Sequence, residues 1–450
     1  MFRRGPTSSS LPIIVACLCG GAAVQAQDLS GTSASSITVP LPPALSPGGY
    51  APPQPAVPEG VGVADRPRQD YLPIGGRLGS FFLYPDAAIT TGLSDNIRAT
   101  QADRMGDSYL RVSAGTQLVS GFSRHKVKAG LFVSHPFYLH HPQEGITQYG
   151  GSLDTTLDLD RRTQADVMFT AGRSIVDRTD FTSPPDATSP IAYDHASARL
   201  NLTHGINRLT LSSTAKVTGT SYRHGRTDSG ALISQTYRDM TAYDLVQEAR
   251  YTLHPGFDAV LHVSYNRAVY ALPASDPAQP GHLARDASGW TVQAGARLGL
   301  TGTLYGELRL GYLWRDYADP RLRAARGFSF DGNLLWNAGT LTSVRLRGSR
   351  SVEEAASTTA AGNLVTMVSL GLDHELQRNI IISAEGGYLR LAPIGTGATA
   401  DLWSSRLSAR YLISRRISLT AQLGHAARSS VDVSHAFVAN TASLSLSITL

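Results

Sequence analysis

Residues 288–316 read SGWTVQAGARLGLTGTLYGELRLGYLWRD. Trp290, Val292, Ala294, Ala296, Leu298 and Leu300 occupy every second position, with Thr291, Gln293, Gly295 and Arg297 between them. After a turn at Thr301–Thr303 the alternation resumes, and Leu304, Leu308, Leu310, Tyr312 and Trp314 oppose Glu307, Arg309 and Arg315. A period of two sends successive side chains to opposite faces of a β-strand, so one face is apolar and the other polar. Both runs exceed the five to six residues or so of an average soluble strand. A strand tilted across a bilayer needs about 9–11 residues. The stretch predicts a membrane-crossing hairpin with lipid on one face and water on the other.

The same device repeats from residue 79 to the C-terminus. Strands are predicted at 79–93, 108–122, 125–138, 148–160, 163–176, 194–206, 207–222, 236–253, 256–270, 288–300, 302–316, 325–337, 339–352, 363–377, 379–391, 401–413, 415–428 and 436–450. In one of them Leu364, Val368, Leu370 and Leu372 oppose Ser369, Asp373 and Glu375; the last sets Ala442, Leu444, Leu446, Ile448 and Leu450 against Ser443, Ser445, Ser447 and Thr449. Connections alternate as well. They are tight at 122–126, 160–163, 205–208, 254–256, 301–303, 337–340, 377–379 and 414–416. They are long and polar at 94–107, 139–147, 177–193, 223–235, 271–287, 317–324, 353–362 and 392–400. Short turns on one side and long loops on the other mark a transmembrane, antiparallel, up-and-down β-barrel, all-β, of about 18 strands. An even strand number leaves both barrel ends on the short-turn, periplasmic side. Sandwiches and propellers have shorter strands and no such alternation of loop length. Tyr84, Tyr109, Phe122, Tyr138, Tyr222, Tyr270, Tyr312, Trp314, Trp336 and Trp403 fall near strand ends, where aromatic girdles belong.

Composition fits that reading. Charged residues make up 17% and mean hydropathy is −0.11, against roughly 25% charged in a typical soluble domain. A barrel wall shows lipid only every second side chain, so its average stays near neutral. Residues 1–26 read as a secretory signal: Arg3 and Arg4, an apolar Leu11–Val24, and Val24-Gln25-Ala26 before a cut at Gln27. Ile14-Val15-Ala16-Cys17 also spells a lipoprotein box, the alternative being a lipid on Cys17. Both cysteines, Cys17 and Cys19, lie in this leader, so a chain from Gln27 carries no disulfide or thiolate metal site. Residues 27–72, with Pro40, Pro42, Pro43, Pro47, Pro52, Pro53, Pro55 and Pro58, predict a disordered periplasmic tether, and 73–450 the barrel. The formal charge of +5 becomes 5 − 2 = +3 without Arg3 and Arg4, and its basic residues form no tract, so no nucleic-acid partner is expected.

Residues 64–98 carry a further signal: Asp65-Arg66, then Arg77-Leu78-Gly79-Ser80-Phe81, Leu83-Tyr84-Pro85 and Ser94-Asp95-Asn96-Ile97. This opening resembles the family of outer-membrane barrels called beta-barrel porin 2, often encoded beside exopolysaccharide genes, with Arg77, Gly79, Ser80, Phe81, Pro85, Asp95 and Asn96 as the matching positions. The resemblance covers 64–450 and implies location and fold: a β-barrel in the outer membrane of a Gram-negative bacterium. One departure is the terminal Leu450, where such barrels usually end in an aromatic residue read by the barrel assembly machinery, an expected partner along with outer-membrane lipid.

The polar face becomes the lumen wall. It carries Arg111, Lys126, Lys128, Asp154, Asp158, Arg297, Glu307, Arg309, Arg345, Arg347, Asp373, Glu375, Glu385, Arg406 and Arg410. About eighteen strands enclose an aqueous bore unless loops plug it. The expectation is a channel for hydrophilic solutes or secreted polysaccharide; the alternative is a plugged docking barrel without transport. No catalytic residue, metal site or cofactor is predicted: His135, His140 and His141 cluster around one loop and Asp239 and Asp244 near another, nothing in the sequence fixes the two groups together, and no phosphate-loop motif accompanies them. Two further expectations follow. Arg297→Leu and Arg309→Leu should be tolerated while Leu298→Arg and Leu310→Arg, near mid-strand, should block insertion. Loops 177–193 and 271–287 should be reachable from outside the cell, and Gly302 only from the periplasm.

Overall fold

Backbone amides inside a bilayer find no water, so every strand edge must be paired. The chain meets that demand by closing on itself. The computed structural model describes residues 60–272, 283–299, 302–354, 360–395, 397–432 and 435–450. Eighteen long strands form the wall: β1 Phe81–Ser94, β2 Asp107–Ser120, β3 Lys126–Tyr138, β4 Gln148–Asp158, β5 Thr163–Ile175, β6 Ala192–Ile206, β7 Leu209–Tyr222, β8 Met240–His254, β9 Phe257–Tyr270, β10 Ala287–Gly299, β11 Leu304–Tyr317, β12 Ala325–Trp336, β13 Thr342–Glu353, β14 Ala360–Gln377, β15 Ile380–Gly395, β16 Ala400–Leu412, β17 Ile417–Ser430 and β18 Phe437–Thr449. Each pairs antiparallel with its neighbours in sequence, and β18 returns to β1 from Asp86↔Thr449 to Ser94↔Thr441. Each predicted strand has its counterpart. The start of β8 moves most, to Met240, because Thr236–Arg238 is a 3-10 turn instead.

The residues that resembled a family opening bracket this seam. Gly76–Leu78 pairs with Phe81–Leu83 in a tight hairpin, with Gly79 at φ 59°, a left-handed turn that glycine adopts without strain. That hairpin takes the edge of β1 below the last strand, where the Leu450 amide donates to the Pro85 carbonyl at 3.0 Å. At the other end Asp95 accepts the Asn440 backbone and side-chain amides, each at 2.6 Å. Asn96 Nδ2 donates to the carbonyls of Thr100 (2.6 Å) and Val438 (2.9 Å). The motif is a clasp at both ends of the closure between first and last strands.

Burial is inverted relative to a soluble protein. Leu310 is 48% exposed and Leu370 54%, whereas Arg111, Arg309 and Asp373 are buried. The apolar face looks outward to lipid and the polar face inward.

Two expectations change. The segment predicted as tether is ordered at its end: residues 60–72 lie inside the short-turn mouth, while 1–59, with the leader and most of the Pro-rich stretch, fall outside the described residues. Its last part lacks prolines at close spacing and has Val63, fully buried, to pack. Half of the aromatic assignments also turn around. Tyr84, Tyr109, Tyr138, Tyr222 and Tyr270 share the inward face, because nearness to a strand end does not fix parity. Tyr222 and Tyr270 sit under the guanidinium groups of Arg238 (4.0 Å) and Arg285 (4.4 Å). Tyr312, Trp336 and Trp403 do point outward.

Candidate functional site

Following the register around the barrel, every charged position singled out in the sequence falls on the inner face. Lys128 stands directly across from Asp154, Lys126 from Thr156, and Asp158 from Gln164. Arg111 is set between Thr90 and Pro136, with its guanidinium 5.3 Å from the Tyr109 ring. Arg297 lies between Asp258 and Glu307 and is exposed to the lumen. Arg347 stands between Asn333 and Ser369.

The structure gathers the rest into clusters. Arg309 is a hub: it donates to Asp331 (2.7 Å), Glu248 (3.2 Å) and the His262 Nδ1 (2.9 Å), and its Nε lies 3.3 Å from Glu307. Arg345 meets Asp373 at 3.1 Å, and Asp373 also accepts from Ser383 at 2.6 Å. Glu385 and Arg406 approach at 3.9 Å. Between these charges run uncharged hydrogen-bonded pairs: Thr90–Ser445 (2.8 Å) and Thr170–Ser197 (2.7 Å) across neighbouring strands, and Gln293–Ser329 (2.8 Å) over Gly311 of the strand between them. Glu248, His262 and Asp331 were missed in the sequence. Each stands at the inward parity of a predicted strand, and that parity was the available signal.

The short-turn mouth holds the N-terminal segment. Val63 N–H donates to Ser343 Oγ at 2.8 Å. Arg68 pairs with Glu375 at 2.8 Å and donates to the carbonyls of Arg378 and Val63. Arg410 donates to the Ala64 carbonyl at 2.8 Å, and Arg66 to Thr340 and Asn337. Glu375 and Arg410 thus anchor this segment.

The long-loop mouth is crossed by residues 176–191, which link β5 to β6. Arg178 grips Glu144 through two hydrogen bonds of 3.0 and 2.7 Å. Asp177 and Asp180 fold the loop tightly by accepting from Thr179 and Thr182. Burial pushes the Asp177 carboxyl above the ordinary carboxylate range. Phe181 reaches a cluster of inner-face apolar residues that includes Leu389, Leu402, Ala426 and Phe437. There the Arg428 guanidinium covers its ring at 5.0 Å and donates to the Thr179 carbonyl at 3.2 Å. Arg238 holds Thr182 from a third side. The expectation that 177–193 is reachable from outside fails for its first part, since residues 177–180 and 183 are buried. Asp228, in the next loop, is held below the usual carboxylate range by its bonds to Arg98.

A family model matches residues 68–450, described as "Putative beta-barrel porin 2". The chain belongs to that family. It is therefore a porin-type outer-membrane barrel, and the family opening resembled by residues 77–96 is the seam clasp. Among solved structures, the chain is similar in fold to the "Copper transporter OprC" (10% identity, TM-score 0.46, covering 84% of this chain and 81% of that one). Pseudomonas aeruginosa OpdL (14%, 0.42, 83% and 99%) and Acinetobacter baumannii OccAB3 (10%, 0.45, 83% and 100%) are similar at the same level. No curated protein matches the sequence.

Proposed function

We propose that this porin-2 barrel is a channel for hydrophilic solutes, and that its wall fits polyhydroxylated, carbohydrate-like molecules, secreted polysaccharide included. The carrying observation is the inner face. Several of its charges are neutralised in pairs within the wall, at Arg309, Arg345 and Arg406, and hydroxyl and amide pairs between them suit neutral hydrogen-bonding solutes. In this reading the short turns face the periplasm, where the N-terminal segment enters, and the long loops face outward. Liposomes containing refolded protein should swell in neutral sugars faster than in sugars of equal size bearing a carboxylate. Equal rates would refute the preference, and no swelling would refute the channel.

The ordered elements in both mouths favour a second reading, a plugged docking barrel. Releasing the N-terminal segment with Ser343→Ala and Glu375→Gln discriminates between them. A gated channel conducts before the change and more strongly after it. A docking plug is silent before and after, or conducts only after.

A further inference from the structure

Most outward positions are apolar, but one sector of the wall carries cations. Arg350 on β13, Thr366 on β14 and Arg390 on β15 are direct cross-strand partners on the outward face. Strand spacing of about 4.8 Å puts the two arginine backbones roughly 10 Å apart, with the threonine hydroxyl between them. Arg350 Nε is buried without a hydrogen-bond partner. Arg390 bonds the Tyr388 hydroxyl, which donates in turn to Asp401 at 2.6 Å. Asp401 stands directly across from Arg390 and continues the row; among the described residues it is the one carboxylate there, against two arginines, so the row keeps a net positive charge.

The height of the row is set by the strand. From Leu376 to Thr366 is 376 − 366 = 10 residues, roughly 25 Å of rise for a strand tilted by 35–45°, the thickness of the apolar band. The arginines thus stand at the headgroup level of the long-loop leaflet. One pleat below Arg390, Tyr388 packs against Trp403 with centroids 4.6 Å apart and the rings tilted by 41°. Below that pair the outer wall is hollowed into a groove of about 780 Å³. Ala384, Gly386 and Ser405 form its floor, and Leu370, Leu372 and Leu407 flank it. Small residues there lower the surface by the depth of a side chain, leaving room for a hydrocarbon chain.

We propose that this β13–β17 sector binds a phosphate-bearing, anionic lipid of the long-loop leaflet. The phosphate lies between Arg350 and Arg390, where guanidinium forks match its oxygens. The aromatic pair packs beneath the headgroup and one acyl chain fills the groove. Charge selects this occupant over a second copy of the chain. Two copies joined face to face would oppose like-charged rows, whereas an anionic lipid neutralises them.

The test uses full-length refolded protein in detergent, offered equimolar phosphatidic acid and phosphatidylcholine, with bound lipid read by native mass spectrometry. The wild type should retain phosphatidic acid preferentially. Losing two charge-assisted contacts in Arg350→Gln/Arg390→Gln should cut that preference by about tenfold or more. Gly386→Leu, which meets open space, should reduce total retained lipid while keeping the headgroup preference. Heat-modifiable gel migration confirms that each variant is folded, and a misfolded double variant is replaced by Arg350→Lys/Arg390→Lys, which keeps charge but loses the fork and should weaken the preference partially. Equal retention of the two lipids by wild type, an unchanged preference in the glutamine variant, or a dimer that Gly386→Leu dissociates would each overturn the proposal. Conductance is not the readout, so this result stands apart from the channel reading.

Discussion

Arg309→Leu should destabilise the barrel by about 3 kcal/mol, the low end for removing one partner of a buried ionic cluster, because lumen water screens part of the effect. The side chain of Arg309 is 10% exposed and is shared by Glu248, Glu307 and Asp331. Leucine leaves three carboxylates converging on an apolar group, with Arg250, 2.7 Å from Glu248, as the nearest remaining cation paired to them. Arg297 stands directly across from Glu307 but is exposed to the lumen, so Arg297→Leu should cost within the 0–1 kcal/mol or so of a solvated charge. The sequence expectation that both arginines are dispensable is therefore split by the structure. The assay is urea unfolding of protein refolded into lipid vesicles, followed by tryptophan fluorescence and gel shift at pH 8 and pH 5. At the higher pH the two variants should differ by about 2–3 kcal/mol, on the order of a hundredfold in the folding equilibrium. Acid should recover part of the Arg309→Leu loss, since protonated carboxylates no longer repel one another. Equal midpoints for the two variants, or no acid recovery, would refute the hub.

Leu310→Arg should reduce folded protein in the outer membrane, at a cost of about 2–4 kcal/mol, because its 48% exposed side chain lies mid-strand. Leu298 is next to the end of β10, so Leu298→Arg should cost only about 0–1 kcal/mol, as interfacial charges do; quantitative gel shift separates the two. Asn96→Ala removes bonds to Thr100 and Val438 at the seam and should lower stability by about 1–3 kcal/mol in the same urea assay. Because burial raises the Asp177 carboxyl, its neutral form is favoured in the folded loop. The loop's anchorage is then complete below the ordinary range near about 4 and weakens as pH climbs through the raised value. Bilayer conductance should rise with pH over that interval, and Asp177→Asn should flatten the profile. A cysteine at the exposed Ser229 should label on intact cells and one at Gly302 only after the outer membrane is opened; the reverse pattern would invert the topology.

Strand number, strand order and the face of each side chain were legible in the sequence because alternation is local. A residue's parity within its own strand tells whether it meets lipid or water, with no knowledge of any partner. That is why Arg111, Asp154, Arg345 and Arg406 could be placed on the inner face from residues beside them. Partners were not legible, since pairing depends on register between distant segments: Arg309 finds Glu248 61 residues away, and Arg68 finds Glu375 across 307. Nearness to a strand end suggested a girdle for Tyr222 and Tyr270, but their own parity turns them inward, under the loop arginines Arg238 and Arg285. The direction taken by a polar loop carries no period at all. Residues 176–191 and 60–72 read as solvated connections, and only closure of the barrel, which brings Ser343, Glu375 and Arg428 to face them across the lumen, gives their backbone and charged groups somewhere to bond.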